Sequence, residues 1–304
     1  MVTGCAGFIG SNLAEELLRL GHDVVGIDDM SSGRPENIRG MGMEFHRGSI
    51  NDAKLLAKAM RDVEFVFHQA AIASVQFSIE NPPASNHANV DGTLSVLMSA
   101  RDAGVRRVMF ASSSSVYGNC KEMPVKESAA LSPLSPYALT KMTGEKYCIM
   151  FNDVFGLETI SLRYFNIFGK RQDPGSDYAA AVPRFISLML KGKRPTIFGD
   201  GRQTRDFAHV QDVVQANLLA MRARKSACGM AFNIACQQGT TVNGLVDEIN
   251  GILGTSIKPK HAGPRQGDVR DSVADIALAR KELGYEPKVG LREGLEMTIE
   301  SFKE

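Results

Sequence analysis

The sequence predicts an α/β fold, a doubly wound parallel sheet with a smaller α/β lobe at its C-terminal side. Three observations carry this. Short apolar runs, among them Asp23–Asp28 and Val63–His68, alternate with helical stretches, the pattern of strands buried on both faces of a parallel sheet. A loop with G-x-x-G-x-x-G spacing, Thr3-Gly4-Cys5-Ala6-Gly7-Phe8-Ile9-Gly10-Ser11, stands at the entrance to the first helix. The second apolar run ends on a carboxylate, Asp28, close to the spacing of about 20 residues at which an acid meets an adenosine ribose.

With 304 residues and 43% hydrophobic content, the chain can bury a large core or two lobes. Its 35 basic and 34 acidic residues leave a net charge of +1, which gives no electrostatic case for nucleic acid or an anionic membrane. No apolar run is long enough to span a bilayer, and Met1-Val2-Thr3-Gly4 is not the start of a signal peptide. The five cysteines are scattered, with no metal-type or redox-type pairing, so no metal is expected and a reducing cytoplasm is.

Only Met1 and Val2 precede the loop, fewer than the usual strand of about 5 to 6 residues. Either the first strand is short or the recorded start is late. Gly4, Gly7 and Gly10 let the backbone turn and bring a diphosphate to the N-terminus of a helix that runs to Leu20 and stops at Gly21. A carboxylate at Asp28 repels a 2′-phosphate, so NAD rather than NADP is expected. Asn51 or Asp52 caps a helix to about Met60. After the strand ending at His68, Gln69-Ala70-Ala71 are small enough to let a cofactor lie against backbone. A long helix spans about Ala84 to Ala103. The strand Val105–Ala111 then delivers Ser112-Ser113-Ser114-Ser115 to the carboxyl edge of the sheet, where ligands bind in such folds.

Ser135 is a good N-cap and Pro136 a good first helical residue. On the helix they open, Tyr137 and Lys141 share a face one turn apart. Positive charge beside a phenol lowers its pKa from about 10, which makes an acid–base group at neutral pH. Taken alone, the pair fits a packed tyrosine and a solvated lysine better, and the rest of the chain reverses that. Thr159–Tyr164 is a further strand, leading into Phe165-Asn166. Beyond about Gly169 come helices over Ala179–Leu190, Val210–Arg222, Val242–Leu253 (capped by Thr240 or Thr241), Asp275–Leu283 and Leu291–Phe302. Residues 1–168 are expected to form a dinucleotide-binding domain and 169–304 mainly a lobe closing over it. Elements near 206–236 return to the sheet.

Together these motifs resemble the extended short-chain dehydrogenase/reductase family, and within it the nucleotide-sugar 4-epimerases, over essentially the whole chain. The glycine loop, Asp28, Ser113, Tyr137 with Lys141, Arg163-Tyr164-Phe165-Asn166, Arg205-Asp206-Phe207 and Arg265-Gln266-Gly267-Asp268 carry the resemblance. It implies a Rossmann-type sheet, tightly bound NAD, a UDP-sugar substrate and a homodimer formed through a four-helix bundle. The bundle helices would be those around 84–103 and 135–153, with Leu94, Leu97, Met98, Met142, Cys148 and Ile149 available either for their outer faces or, equally, for packing on their own sheet.

The implied catalytic residues are Ser113, Tyr137 and Lys141. Tyr137 takes the proton of the sugar 4-hydroxyl as hydride leaves C4, Ser113 steadies the same oxygen, and Lys141 binds the nicotinamide ribose. The implied cofactor contacts are Gly4, Gly7, Phe8, Ile9, Gly10, Asp28, Ser49, Ile50, Gln69, Ala70 and Ala71, with Tyr137 and Lys141. Ser49 stands where the family often has an aspartate on the adenine side. The implied substrate contacts are Ser113, Ser115, Tyr137, Asn166, Arg205, Arg265, Asp268 and Ser272, the guanidinium groups matching a diphosphate in bidentate fashion.

Two departures bear on the reaction. Related 4,6-dehydratases carry Asp-Glu where Ser114-Ser115 stand, and decarboxylases carry glutamate at the Ser115 position, so elimination and decarboxylation both lack their acids here. Ser272 occupies a position that some epimerases limited to UDP-glucose and UDP-galactose fill with an aromatic. The space left open takes a 2-acetamido group, which points to UDP-N-acetylglucosamine and UDP-N-acetylgalactosamine, alone or alongside the glucose pair. UDP-glucuronate 4-epimerisation is the alternative reading.

Overall fold

The structure, a computed structural model, describes residues 1–175, 180–263 and 269–303. Strand β1 (Val2–Thr3) leads through the glycine loop into helix α1 (Phe8–Arg19), then β2 (Val25–Asp28) and β3 (Glu44–Arg47). Helix α2 (Ala53–Ala59) is capped by Asp52, whose carboxylate accepts from the Lys54 and Leu55 amides, and precedes β4 (Phe65–His68). Helices α3 (Val75–Glu80), α4 (Pro82–Asn86) and α5 (Gly92–Asp102) follow. The expected long helix is thus in two parts, joined by a π-helical turn over His87–Asp91. Strand β5 (Arg107–Ser113), helix α6 (Pro136–Phe155), β6 (Glu158–Tyr164) and β7 (Ile167–Phe168) come next.

The remainder comprises α7 (Ala181–Leu190), β8 (Thr196–Phe198), β9 (Thr204–Asp206), β10 (Ala208–His209), α8 (Val210–Arg222) and β11 (Met230–Ile234). It continues with β12 (Gly239–Thr241), α9 (Val242–Leu253), β13 (Lys260–Ala262), β14 (Asp271–Ser272), α10 (Ala277–Leu283) and α11 (Leu291–Ser301).

Seven strands form one parallel sheet in the order β11-β6-β5-β4-β1-β2-β3. This is the doubly wound Rossmann order, with β11 added at the far edge. Its switch point lies between β1 and β4, and ligands of such sheets bind in the crevice outside the carboxyl ends there. Short as it is, β1 is central: Val2 and Thr3 pair with Gly26 and Ile27 on one side and Phe67 and His68 on the other. The Met1 amino group donates to the Phe65 carbonyl at 2.7 Å.

Two apolar clusters cover the two faces of the sheet. One packs Leu13, Leu17, Val213 and Leu283 from α1, α8 and α10; the other packs Leu56, Val96, Leu97, Cys148 and Phe151 from α2, α5 and α6. Leu97 and Cys148 are therefore core residues and not part of an outer stripe. Both face the sheet because burial there removes apolar surface from water on a face that is otherwise uncovered. A third cluster, built on Phe185, Ile197, Phe207, Leu245 and Leu295, lies among the later elements, where β12, β9 and β14 form a small mixed sheet. Arg107, 1% exposed, closes the end of α8 by donating to the Ala220, Met221 and Ala223 carbonyls while pairing with Glu158 at 2.6 Å. Among the described residues no helix is long and apolar enough to cross a membrane.

Candidate active site

The glycine loop is a cradle defined by close approach. Gly4 has φ +67°, and a Cβ there would lie 2.8 Å from the Ala70 backbone. A Cβ on Gly10 would lie 2.0 Å from the Gly4 carbonyl oxygen, so the first turn of α1 folds back on the loop only because that side chain is missing. The free amides at the start of α1 consequently face an opening rimmed by backbone, a setting that favours an anion. Asp28 ends β2 beside this cradle. Its carboxylate accepts from the Ala6 amide at 2.9 Å and the Met30 amide at 2.8 Å. Burial raises its pKa against these bonds.

The neighbouring strand completes the cofactor side. Gln69, Ala70 and Ala71 leave the carboxyl end of β4, and the Ala70 amide donates to Thr3 Oγ1 at 3.1 Å. Thr3 in turn donates to His68 Nδ1 at 2.8 Å. The Thr93 hydroxyl spends its proton on the Asn89 carbonyl, so it accepts from His68 Nε2 at 3.0 Å. This assigns a neutral imidazole protonated at Nε2. Burial agrees, holding the His68 pKa down to about 3. The Gln69 amide reaches the Tyr164 hydroxyl and Asn217 Oδ1, both at 3.2 Å. Ser49 follows β3 and accepts the Asn51 amide at 3.1 Å, and Ile50 is buried against Gly92.

Ser113 stands at the carboxyl end of β5 and caps the short helical turn after it. Its hydroxyl accepts from the Ser115 hydroxyl at 2.9 Å and stands near enough to the Tyr137 phenol to oppose the rise of its pKa. Ser135 caps α6 as expected, accepting the Ala138 amide at 3.1 Å. Tyr137 and Lys141 lie on one face of α6, the ammonium 5.9 Å from the centre of the phenol ring. Lys141 donates to the Ala111 carbonyl at 2.8 Å, and burial pushes its pKa down to about 8.

The ionisation expected of Tyr137 rests on a cationic nicotinamide as well as Lys141, and in the protein alone the phenol pKa is not lowered. It is raised, because burial outweighs the effect of Ser113 and the lysine is turned toward Ala111. In the protein alone the phenol is the stable form.

Ser113, Ser115, Tyr137, Asn166, Arg205 and Ser272 all line one cleft of about 440 Å³, together with Phe8 and Ile9 from the cradle. Asn166 and Arg205 also line an adjoining cavity of about 260 Å³, walled by Phe185, Ile197, Phe198, Gln203 and Phe207. Arg205 is set by Nη1, which donates to the Thr204 and Arg270 carbonyls at 2.8 and 2.9 Å. Ser272 reaches the cleft because β14 pairs in parallel with β9 and aligns Ser272 with Arg205. Arg265 and Asp268 lie outside the described residues.

Sequence reading missed the buried support beneath these groups. Glu145, one turn beyond Lys141 on α6, accepts from Ser112 Oγ at 2.5 Å and from two nitrogens of Arg163 at 2.8 and 2.7 Å. Arg163 also donates to the Tyr117 hydroxyl at 2.7 Å, which donates to Asn233 Oδ1 at 2.6 Å. A glutamate continuing the Tyr137, Lys141 period was the available signal.

A Rossmann sheet that brings a serine, a tyrosine and a lysine together beside its phosphate cradle belongs to the short-chain dehydrogenase class of dinucleotide-dependent enzymes. Comparison with known proteins narrows the class. The model of the NAD dependent epimerase/dehydratase family matches residues 1–235, and the chain belongs to that family. It is 40% identical to the solved UDP-glucose 4-epimerase of Thermotoga maritima with UDP-glucose, with a TM-score of 0.95 over 99% of this chain and 97% of that one. It is 37% identical to the UDP-N-acetylglucosamine 4-epimerase of Methanobrevibacter ruminantium in complex with UDP-N-acetylmuramic acid, with a TM-score of 0.94 and coverage of 99% and 97%. It is 34% identical to the Thermus thermophilus UDP-glucose 4-epimerase complex with NAD, with a TM-score of 0.92 and coverage of 99% and 98%. The cofactor is NAD.

Proposed function

We propose that the chain is a UDP-sugar 4-epimerase whose cleft admits 2-acetamido sugars, interconverting UDP-N-acetylglucosamine and UDP-N-acetylgalactosamine, with the glucose pair as a second substrate. The observation that carries this is the small Ser272 facing the same cleft as Ser113 and Tyr137. An aromatic there would occupy the space a 2-acetamido group needs. The Methanobrevibacter relative, named for UDP-N-acetylglucosamine, supports the choice.

Each residue's role follows from its placement. Bound NAD supplies a hydride acceptor at the sugar and an added positive charge in the site. With that charge present beside Lys141, Tyr137 can hold the proton of the sugar 4-hydroxyl and return it. Ser113 bonds the same oxygen, and Ser115 keeps the Ser113 hydroxyl oriented. Gly4, Gly7, Phe8, Ile9 and Gly10 hold the diphosphate, Asp28 the adenosine ribose, and Ser49, Ile50, Gln69, Ala70 and Ala71 the walls of the cofactor crevice. Asn166 and Arg205 stand where the sugar cleft meets the cavity walled by Phe198 and Phe207, which suits the UDP diphosphate and its base. Arg265 and Asp268 are proposed to complete that grip. The flat 4-keto sugar must turn over between the two transfers, so the nucleotide is held firmly and the sugar loosely.

Residues 1–168, with the elements near 206–236, form the NAD domain in this reading, and 169–304 mainly the nucleotide-sugar lobe. The partner proposed is a second copy, docked through α5 and α6. Met98, Leu139, Val154 and Phe155 are 44–66% exposed on these helices, replacing Leu97 and Cys148 as the apolar outer face. Five free cysteines suit a reducing cytoplasm.

Purified protein given UDP-N-acetylglucosamine, with the sugar followed by proton NMR, tests the reading. UDP-N-acetylgalactosamine is expected. Turnover of only UDP-glucose or only UDP-glucuronate rejects the pocket argument, and a released 4-keto or decarboxylated product rejects epimerisation.

A further inference from the structure

The segment from Asn166 through β7 to Asp173 touches both halves of the site. At its start Asn166 and Ile167, and further on Gln172, line the sugar cleft. Between and beyond them, the segment is fastened to the NAD cradle. The Lys170 ammonium and the Arg171 guanidinium both pair with the Glu15 carboxylate on α1, at 2.5 and 2.7 Å. Asn12 donates to the Lys170 carbonyl at 3.1 Å, and Arg171 donates to the Ser11 carbonyl at 3.2 Å. Arg171 adopts φ +67°, a left-handed conformation that these contacts hold in place. A second tie comes from the opposite side. The Asp173 carboxylate pairs at 2.6 Å with Arg34, which lies in the loop after Asp28. Arg34 is itself tied to the glycine loop, its amide donating to the Ala6 carbonyl at 3.0 Å.

We propose that residues 170–173 are a clasp that retains NAD, and that a nucleotide in the sugar cleft tightens it. This rests on the reading of the cradle as the NAD site and of the cleft as the UDP site. The chemistry requires retention. A 4-epimerase returns the hydride it removes, so a reduced cofactor that departs leaves a stranded 4-keto sugar behind. The clasp joins the first turns of α1 to the loop beyond Asp28, the two elements between which the dinucleotide is held. A substrate group resting on Asn166, Ile167 or Gln172 fixes the backbone from which Lys170, Arg171 and Asp173 reach out. Each pair is partly exposed and weak alone, so the clasp can open when the cleft is empty and is weakened by salt.

The test loads the purified protein with radiolabelled NAD, chases with unlabelled NAD, and follows label retained through gel filtration, with and without UDP. Wild type should release label slowly, and more slowly with UDP. Asp173→Asn and Glu15→Gln should each release it about fivefold faster, the effect of losing one such tie. UDP should no longer slow that release. Asp173→Glu, which keeps the charge, should behave as wild type. Unchanged release in both neutral variants, or equal slowing by UDP in variants and wild type, overturns the clasp while leaving the NAD site intact. A wild-type protein that retains no label at all overturns both.

Discussion

Glu145→Gln is expected to cost a large part of the protein's stability while barely changing a side-chain volume. Glu145 and Arg163 are 2% and 5% exposed, and the carboxylate takes both guanidinium bonds and the Ser112 hydroxyl. The amide removes the negative charge and turns an NH₂ group toward a donor. Arg163 then loses its paired carboxylate and keeps Tyr117, the Glu127 carbonyl and the attraction of the Glu127 carboxylate as its polar surroundings. Breaking a buried pair from one side costs about 3–5 kcal/mol. That compares with a total stability of about 5–15 kcal/mol for a folded protein.

Urea denaturation read from the midpoint at constant slope gives the number. The pair is also tested as a pair. Removing both charges, as Glu145→Met with Arg163→Met, leaves neither charge without its counterpart, so its cost should fall short of the two single costs summed by about 0.5–3 kcal/mol. A Glu145→Gln variant within 1 kcal/mol of wild type, or single costs that simply add, would refute the argument that charge pairing holds α6 against β5 and β6. Turnover should fall with stability, because Glu145 holds the residue next to Ser113 from the helix that carries Tyr137 and Lys141.

Three further outcomes are expected. Tyr137→Phe should keep bound NAD and lose turnover by at least about a hundredfold; activity near wild type removes the acid–base assignment. Ser272→Tyr should cut turnover of the 2-acetamido pair far more than the glucose pair, and equal losses in an NMR assay of both reject the pocket argument. His68 has its pKa lowered from 6.5 to about 3 in the folded protein. The unfolded chain therefore takes up a proton that the folded one refuses, and the stability this gives, full above pH 6.5, is lost as pH falls below it, by about 1.4 kcal/mol per pH unit. In His68→Gln the stability lost between pH 6 and 4, read as urea midpoint times slope, should be smaller than in wild type by about 2.5 kcal/mol, and parallel curves would show that His68 carries its proton when folded.

What the sequence made legible is what neighbouring residues decide among themselves. Ser135 caps α6 because an N-cap hydroxyl needs only the amide three residues on. Gly4 and Gly10 mark the cradle because a backbone contact with no room for Cβ admits glycine alone. Tyr137 and Lys141 meet through the helical period. The parts that escaped depend on chains returning from elsewhere. Strand β3 was missed because Glu44, Phe45, His46 and Arg47 are mostly polar and partly exposed, and become a strand through pairing with β2 at the sheet edge. Leu97 and Cys148 read as outer-face candidates because the helical period shows that a stripe exists and not which neighbour covers it.

The Tyr137 pKa went the other way for the same reason. Spacing places an ammonium one turn from the phenol, but the direction of that ammonium is set by the Ala111 carbonyl, 30 residues away in the chain. The local motif thus names the reacting groups, while the sheet decides their charge. Burial raises the Tyr137 pKa in the protein alone, and in the proposed mechanism the positive charge of NAD acts against that shift. If Tyr137 is the base, as proposed, it is ready only once the hydride acceptor is in place.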